Sequence, residues 1–203
     1  MISKKKLPLF SVLSFMLILT HPAMADSALK LIKVVGSVNR QEIGGSGLSV
    51  FSLWADSRGS PVLADGVFET VVSDAKPQKI SLRDSNNLTR AIAIVLPEVQ
   101  EKIVFDAQST AAAILFSDPG LLVNSAKVKG LIERMHANEA FQELVDFLKK
   151  KLPHSSLEGL INNPECRLLI EKCNADIFGV DSKAILESLR VAKGKLEESF
   201  KHK

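Results

Sequence analysis

The two cysteines carry the most reactive side chains of the sequence, and seven positions separate Cys166 from Cys173. Seven residues along one helix place two Cα atoms about 10.5 Å apart, whereas a disulfide needs them within about 7 Å. Both residues also fall on an apolar helical stripe, where a thiol packs as a small hydrophobic group. We expect either two buried thiols or a disulfide, and the disulfide requires the helix to begin after Cys166 or end before Cys173. The spacing matches neither a redox dithiol nor a zinc site.

The histidines could serve as a general base or as metal ligands. His136, His154 and His202 lie outside the first 25 residues. None has a neighbour at the spacing of a metal site, and His136 lies at a predicted helix end, where the dipole favours a cation. The sequence therefore predicts structural roles for them, with no metal, no cofactor and no catalytic residue.

Two loops contain residues that bind phosphate or calcium in other contexts, but the spacing is wrong in both. Gly44-Gly45-Ser46-Gly47 forms neither a nucleophile elbow nor a phosphate loop, and we interpret it as a flexible hairpin tip. Asp84-Ser85-Asn86-Asn87 begins like a calcium loop but lacks the central glycine and the terminal glutamate. An Asx turn between two strands is the simpler interpretation.

Aromatic binding surfaces have few residues to draw on, because the chain has one tryptophan and no tyrosine. Sugar-binding surfaces and adaptable interfaces usually depend on these two residue types. Trp54 follows a predicted strand, and it is the candidate for ligand contact. The alternative is a residue at the rim of the core.

The N-terminal segment has the pattern of an export signal. Lys4-Lys5-Lys6 precedes an apolar stretch over residues 7–20, and Ala23-Met24-Ala25 follows as a cleavage site with two small residues. Fourteen residues span about 21 Å as a helix, less than the about 30 Å of a bilayer core, which disfavours a membrane anchor. We predict cleavage after Ala25, an exported protein that is periplasmic or secreted, and no membrane span in the mature chain.

Removal of this segment also removes the excess positive charge. The full chain has 26 basic and 23 acidic residues, and loss of Lys4, Lys5 and Lys6 leaves 23 of each. A neutral chain has no long-range field that would attract a polyanion. Nucleic acid is therefore not predicted as a partner.

The first part of the mature chain consists of short runs rich in β-branched residues, separated by turn residues. Several runs are apolar on both faces, so we expect other parts of the chain to cover both sides of these strands. The second half of the chain is a candidate for this cover. The predicted strands are residues 29–38, 48–54, 67–72, 79–84, 89–96 and 102–105.

This region resembles the prealbumin-like sandwich of carboxypeptidase regulatory-like domains over about residues 29–84. The matching elements are Val35-Gly36-Ser37-Val38, Gly47-Leu48-Ser49-Val50-Phe51, Asp65-Gly66-Val67-Phe68 and the next strand, Lys79-Ile80-Ser81-Leu82. The resemblance implies a turn at Gly66, an inward Phe68 and an accessory module without its own active site. The connection over residues 55–64 is longer than in that family, which leaves the strand order open.

After residue 106 the apolar residues recur at i, i+3, i+4 and i+7, as in amphipathic helices. Residues 109–116 fit an alanine-rich helix and a buried strand equally well. Five stripes follow: Val128, Leu131, Ile132 and Met135; Phe141, Leu144, Val145 and Leu148; Leu157, Leu160 and Ile161; Cys166, Leu169, Ile170 and Cys173; and, in a final helix over residues 182–200, Ile185, Leu189, Ala192 and Leu196.

Polar residues mark the predicted helix starts. Ser125, Asn138 and Asn163-Pro164 can cap, and Ser155-x-x-Glu158 has the spacing of a capping box. Ser109-Thr110 is interpreted as another cap. Asp106, with Glu98 and Glu101, is interpreted as a solvated edge.

The sequence thus predicts an α+β protein in which a small antiparallel β-sandwich is followed by a packed α-helical region. The boundaries are a signal peptide at 1–25, a sandwich domain at 26–105 and a helical domain at 106–203. The join has no flexible linker, so we expect the helices to pack against the sandwich.

The predicted function is a non-catalytic binding or interaction module of the cell envelope or secretome, with a protein or an envelope component as its partner. One alternative is an exported hydrolase with a dispersed site, which a cleft joining His136 or His154 to a carboxylate and a serine would favour. The other is a carrier of a lipid or small apolar ligand, which an enclosed apolar cavity on the order of several hundred Å³ would favour.

Overall fold

A computed structural model describes residues 30–55, 57–97, 102–116 and 125–179. The predicted signal peptide, Glu98, Glu101 and the predicted helix over 182–200 lie outside the described residues.

Seven strands form two sheets that pack as a small sandwich. In chain order they are β1 (Leu31–Val38), β2 (Ser49–Phe51), β3 (Ser60–Pro61), β4 (Val67–Ser73), β5 (Gln78–Arg83), β6 (Thr89–Val95) and β7 (Ile103–Phe105). One sheet has the order β4-β1-β7 and the other has the order β3-β2-β5-β6. Followed by the helices, the two sheets make the α+β fold that the sequence predicts.

Two features of the sheets differ from the sequence prediction. β7 pairs with β1 in parallel, because the chain leaves β6 in one sheet and crosses to the other before β7 begins. β3 lies inside the connection over 55–64 and was missed, because two residues are too short to show an alternating pattern. Pro61 cannot donate a ladder hydrogen bond, and β3 is accordingly an edge strand.

The interior of the sandwich depends on one close approach between backbone and ring. Phe68 and Phe105 are buried with ring centroids 5.5 Å apart. A Cβ atom on Gly36 would lie 2.2 Å from Phe68 Cζ and 2.6 Å from the Ile103 carbonyl oxygen. Gly36 therefore leaves the space that the Phe68 ring occupies, and Phe68 points inward as expected.

The described helices are α1 (Ala107–Leu115), α2 (Ser125–His136), α3 (Glu139–Lys151), α4 (Leu157–Ile161) and α5 (Pro164–Phe178). Asn138 caps α3 and Asn163 caps α5, with Pro164 in the first turn, as predicted. The predicted capping box at Ser155 is wrong by one residue. Ser156 caps α4 by accepting a hydrogen bond from the Gly159 amide at 3.3 Å.

α1 resolves the ambiguity over residues 109–116 in favour of a helix. Seven of its nine residues are buried, and it packs against β6, β7, α3 and α5. A helix that is apolar all round must be enclosed by other elements, and small side chains let those elements approach closely. The alanines concerned are Ala107, Ala111, Ala112 and Ala113.

α1 also covers the outer face of β6, which confirms the expectation of cover on both sides. Ala91, Ala93 and Val95 face the sandwich interior, while Ile94 alternates to the opposite face and is buried there. The buried apolar residues of the strands and helices form one continuous cluster. Within the described ranges, no helix is long and apolar enough to cross a membrane.

The same substitution at two glycines should change stability in opposite directions. Gly36→Ala forces a methyl group against Phe68 and a backbone carbonyl, and we expect the free energy of unfolding to fall by about 1–3 kcal/mol. Gly130 lies in α2 with nothing within 4 Å of an added Cβ, so Gly130→Ala should raise it by about 0.5–1 kcal/mol. Urea unfolding of both variants measures the difference. Equal effects at the two sites would contradict the packing described around Phe68.

Candidate functional site

An open groove lies where the sandwich meets the helices. β6 and the residue after it, the first half of α1, and α2 form its walls, and it encloses about 400 Å³. Its surface is mainly apolar, from Ile94, Leu96, Ala112 and Ile132. Polar and charged side chains surround this apolar surface: Asp106, Gln108, Ser109, Lys129, Glu133 and His136.

The start of α1 forms one wall, and its polar groups satisfy one another. Asp106 Oδ1 accepts from the Ser109 amide at 2.6 Å. Ser109 Oγ accepts from the Asp106 amide at 3.0 Å and lies 3.1 Å from the Asp106 carbonyl oxygen, to which it can donate. Glu42 Oε2 accepts from the Ala107 amide at 2.9 Å. The prediction of Asp106 as a solvated edge is wrong, because the free amides at a helix start need acceptors.

Ser109 takes part in a helix cap, as predicted, but it is the third residue of α1 and not the N-cap. Asp106 is the N-cap, and Ser109 closes a reciprocal capping box with it. An aspartate three residues before a serine indicates this motif in the sequence.

α2 supplies the opposite wall through four residues on one face. Lys129, Ile132, Glu133 and His136 have the i, i+3, i+4, i+7 spacing and line the groove together. The apolar period of this segment indicates the neighbouring core stripe, and Lys129 and Glu133 were therefore missed. This second stripe was visible in the sequence, but its mixed character resembles an ordinary solvated face.

His136 is held at the end of α2 by contacts outside the groove. Its ring centroid is 5.8 Å from that of Phe141, and its carbonyl accepts from Gln142 Nε2 at 2.8 Å. In the described part of the chain, no hydrogen bond joins the imidazole to Ser109 or Asp106. The groove thus contains a histidine, a hydroxyl and two carboxylates, and the hydroxyl of Ser109 and the carboxylate of Asp106 are bonded within the cap.

A lysine lies on the same outer sheet face as the groove. Lys79 is the register partner of Ile94, and antiparallel partners project from the same face. Burial lowers the pKa of Lys79. Within the described ranges, no acidic side chain pairs with its ammonium group, so a positive charge lies partly desolvated beside an apolar surface.

Both cysteines lie in α5, which is continuous from Pro164 to Phe178, and both are buried and free. Burial raises the pKa of the Cys166 thiol. Burial, followed by the nearby carboxylates of Asp176 and Glu143, raises the pKa of Cys173 to about 11. Neither thiol lines the groove.

Trp54 lies in a turn after β2 and is also separate from the groove. Its amide is 3.3 Å from Ser52 Oγ, and 38% of the residue is exposed. The indole is thus neither buried in the core nor part of the groove walls.

A second groove lies between α3 and α5. It is lined by Glu143, Asp146, Phe147, Lys150, Lys151, Glu165 and Leu169. Lys172 forms an ion pair with Glu143 at 2.8 Å beside it, and this hydrogen bond raises the pKa of Lys172. Charges of both signs alternate here, as on a solvated helix pair.

The glycine-rich loop is held in place, so its interpretation as a flexible tip is wrong. Arg90 Nε donates to the Gly44 carbonyl at 3.2 Å and pairs with Asp84 at 3.5 Å. A Cβ on Gly44 would meet the Pro153 carbonyl oxygen at 1.9 Å. The Asx turn is confirmed, because Asp84 Oδ1 accepts from the Asn86 amide at 2.9 Å.

No family model, no curated protein and no solved structure matches the chain. Across the described ranges, no cluster of three or more histidine, cysteine or carboxylate side chains could hold a metal ion. An assignment of function therefore depends on the geometry of the groove and of the exposed surface.

The reactivity of the two thiols tests whether both cysteines of α5 are buried and free of a disulfide. We expect a maleimide near neutral pH to react very slowly with the folded protein and to label both cysteines in urea without a reductant. A Cys166→Ala variant reports Cys173 alone, whose labelling rate should still rise between pH 9 and 11, because its pKa is raised from 9.0 to about 11. The folded state holds the neutral thiol, so its contribution to stability should decline with rising pH over the same window. Labelling in urea only after reduction would show a disulfide instead.

Proposed function

We propose that the protein is an exported, non-catalytic binding module of the cell envelope or secretome, and that the groove between β6, α1 and α2 is its binding site. The bound group is an apolar segment of a partner protein or another envelope component. The observation that carries this proposal is the combination of a mainly apolar groove with a polar rim whose serine and aspartate are already hydrogen-bonded within a helix cap.

The form of the groove supports binding. Ligand sites are concave and largely apolar, with a few polar groups that fix orientation. Ile94 and Ile132 offer apolar contact, while Lys129 and Glu133 on α2 offer one charge of each sign. The charge pair favours a partner that brings its own polar groups to the rim.

The export pattern supports a location in the cell envelope or secretome, and the sandwich supports an accessory role. Residues 1–25 have the charged start, apolar stretch and small cleavage residues of an exported chain. The resemblance of residues 29–84 to carboxypeptidase regulatory-like domains points to an accessory module. A small sandwich with a helical region packed against it is suited to holding a partner.

The groove also contains the residue types of the hydrolase alternative. A nucleophilic serine needs a base that accepts its proton, but the Ser109 hydroxyl faces the Asp106 carbonyl oxygen at 3.1 Å. Release of that hydroxyl would break the capping box of α1. This engagement is the reason for preferring the binding function over hydrolysis.

A second candidate function, carriage of a small amphiphile, is favoured by the size of the groove and by Lys79. A volume of about 400 Å³ accommodates a small ligand, and the partly buried ammonium group of Lys79 lies on the same sheet face as Ile94. An acidic headgroup beside Lys79 and an apolar tail in the groove would use both features. Native mass spectrometry of protein purified from the producing cells would reveal such a ligand as an added mass.

Site-specific photo-crosslinking tests the binding function. A photoreactive amino acid at Ile132, on the groove wall, should give a covalent adduct with one envelope protein in cells that export the chain. The same group at Leu168, exposed on α5 and outside the groove walls, is the matched control and should give none. We expect Ala112→Trp, which fills the groove, to reduce the Ile132 adduct at least about tenfold.

Two results would contradict the proposal. One is an Ile132 adduct that persists unchanged in the Ala112→Trp background while circular dichroism shows an intact fold. The other is ester or peptide hydrolysis that Ser109→Ala abolishes and Ser156→Ala leaves unchanged. Ser156 is a suitable control because it also caps a helix.

A further inference from the structure

Among the large apolar side chains of the described residues, the most exposed one lies in the turn after β2. Leu53 is 82% exposed and the adjacent Trp54 is 38% exposed. A single exposed leucine is ordinary on a protein surface. A leucine and the one tryptophan of the chain, side by side in the same turn, form a more specific feature.

Hydrogen bonds hold this turn against the neighbouring sheet. Ser52 Oγ donates to the Val71 carbonyl on β4 and accepts a hydrogen bond from the Trp54 amide at 3.3 Å. The turn therefore has a defined position at the edge of the three-stranded sheet, and the two apolar side chains are presented by an anchored backbone.

The chain enters the sandwich at the same end. Val71 is the register partner of Lys33, and Ser73 is the register partner of Leu31, the first residue of β1. Leu31 is itself 48% exposed. The first residues of β1 therefore lie beside the end of β4 whose Val71 carbonyl Ser52 contacts.

The sequence before this point is the predicted export segment. Its apolar stretch ends at Thr20, and nine residues lie between Thr20 and Lys30, where the described part of the chain begins. Nine extended residues span at most about 32 Å. Before the predicted cleavage after Ala25, a leader in the membrane keeps this end of the sandwich within that distance of the lipid surface during export.

Lys30 and Lys76 lie at this end of β4. The Lys30 carbonyl accepts from the Asp74 amide, and the Lys76 carbonyl lies 3.5 Å from Gln78 Nε2, whose other contact is the Ser73 carbonyl. Both lysine side chains are exposed. Among the described residues neither has an ion-pair partner. Exposed lysines beside an apolar turn suit the anionic surface of a phospholipid bilayer.

We propose that the turn of Leu53 and Trp54 is a contact site for an anionic lipid bilayer surface. Leucine inserts its side chain among the acyl chains, and tryptophan takes the interfacial position that suits its apolar ring and polar N–H. Lys30 and Lys76 face the headgroups. The protein binds on the membrane surface through this end.

Trp54 makes the proposal testable without any substitution, because it is the one tryptophan of the chain. The probe is a vesicle of phosphatidylethanolamine and phosphatidylglycerol, added to the processed chain purified after export, with its N-terminus checked by mass spectrometry. We expect the tryptophan emission to shift to shorter wavelength and to be quenched by lipids brominated on their acyl chains. Vesicles of the zwitterionic lipid alone should give weaker binding.

Variants separate this surface from the rest of the molecule. Leu53→Ser keeps the fluorescent probe and should lower the vesicle partition coefficient about tenfold in co-sedimentation. Leu168→Ser, at another exposed leucine on α5, is the matched control and should leave it unchanged. Both residues are exposed, so the thermal midpoints should equal that of the natural chain.

Three results would overturn the proposal. The first is an emission spectrum that saturating vesicles do not change. The second is vesicle binding that Leu53→Ser leaves intact, which would place the lipid contact elsewhere. The third is a photo-crosslink from position 53 to a partner protein in the absence of any vesicle binding, which would make the turn a protein interface.

Discussion

The enclosure of α1 is the constraint on which the remaining structure depends. Seven of the nine residues of this helix are buried, so the sandwich and the other helices have to cover most of its surface. Its alanines allow β6 on one side and α3 and α5 on the other to approach the helix axis closely. The sandwich and the helical region therefore share one apolar interior rather than two separate ones.

Enclosure of a helix creates a second requirement at its beginning. Buried amides at a helix start need acceptors, and Asp106 and Glu42 provide them from two distant parts of the chain. Asp106 is adjacent in sequence, whereas Glu42 reaches α1 from the loop after β1. The cap thus connects the end of the sandwich to the first helix, and the same polar groups form one wall of the groove.

The groove exists because α1 is covered only in part at this point. Ile94 and Leu96 extend beyond the cover that α1 provides, and α2 approaches from the other side with a face that mixes Ile132 with charged residues. An apolar surface with a charged rim is left between the two. Its residues come from three elements, and each of them has an ordinary structural explanation when it is considered alone.

Much of the fold could be predicted because local patterns report it directly. The alternation of apolar residues identified β1, β4, β5 and β6, and the helical stripes identified α2 to α5 with Asn138 and Asn163 at their starts. β3 was missed because a strand of two residues is too short to show an alternating pattern. The cap at Ser156 was displaced by one residue because Ser155 and Ser156 offer the same hydroxyl.

The sequence alone determined the succession of strands and helices, the apolar faces and the pattern of an export signal, because these depend on residues close together in the chain. Tertiary structure alone decided that α1 is a helix, since an alanine-rich segment suits helix and buried strand equally until its neighbours surround it. It also decided that Asp106 and Glu42 meet at one helix start and that Ile94 and Ile132 share a groove. Such contacts join residues far apart in sequence, and no local pattern encodes the distance between them.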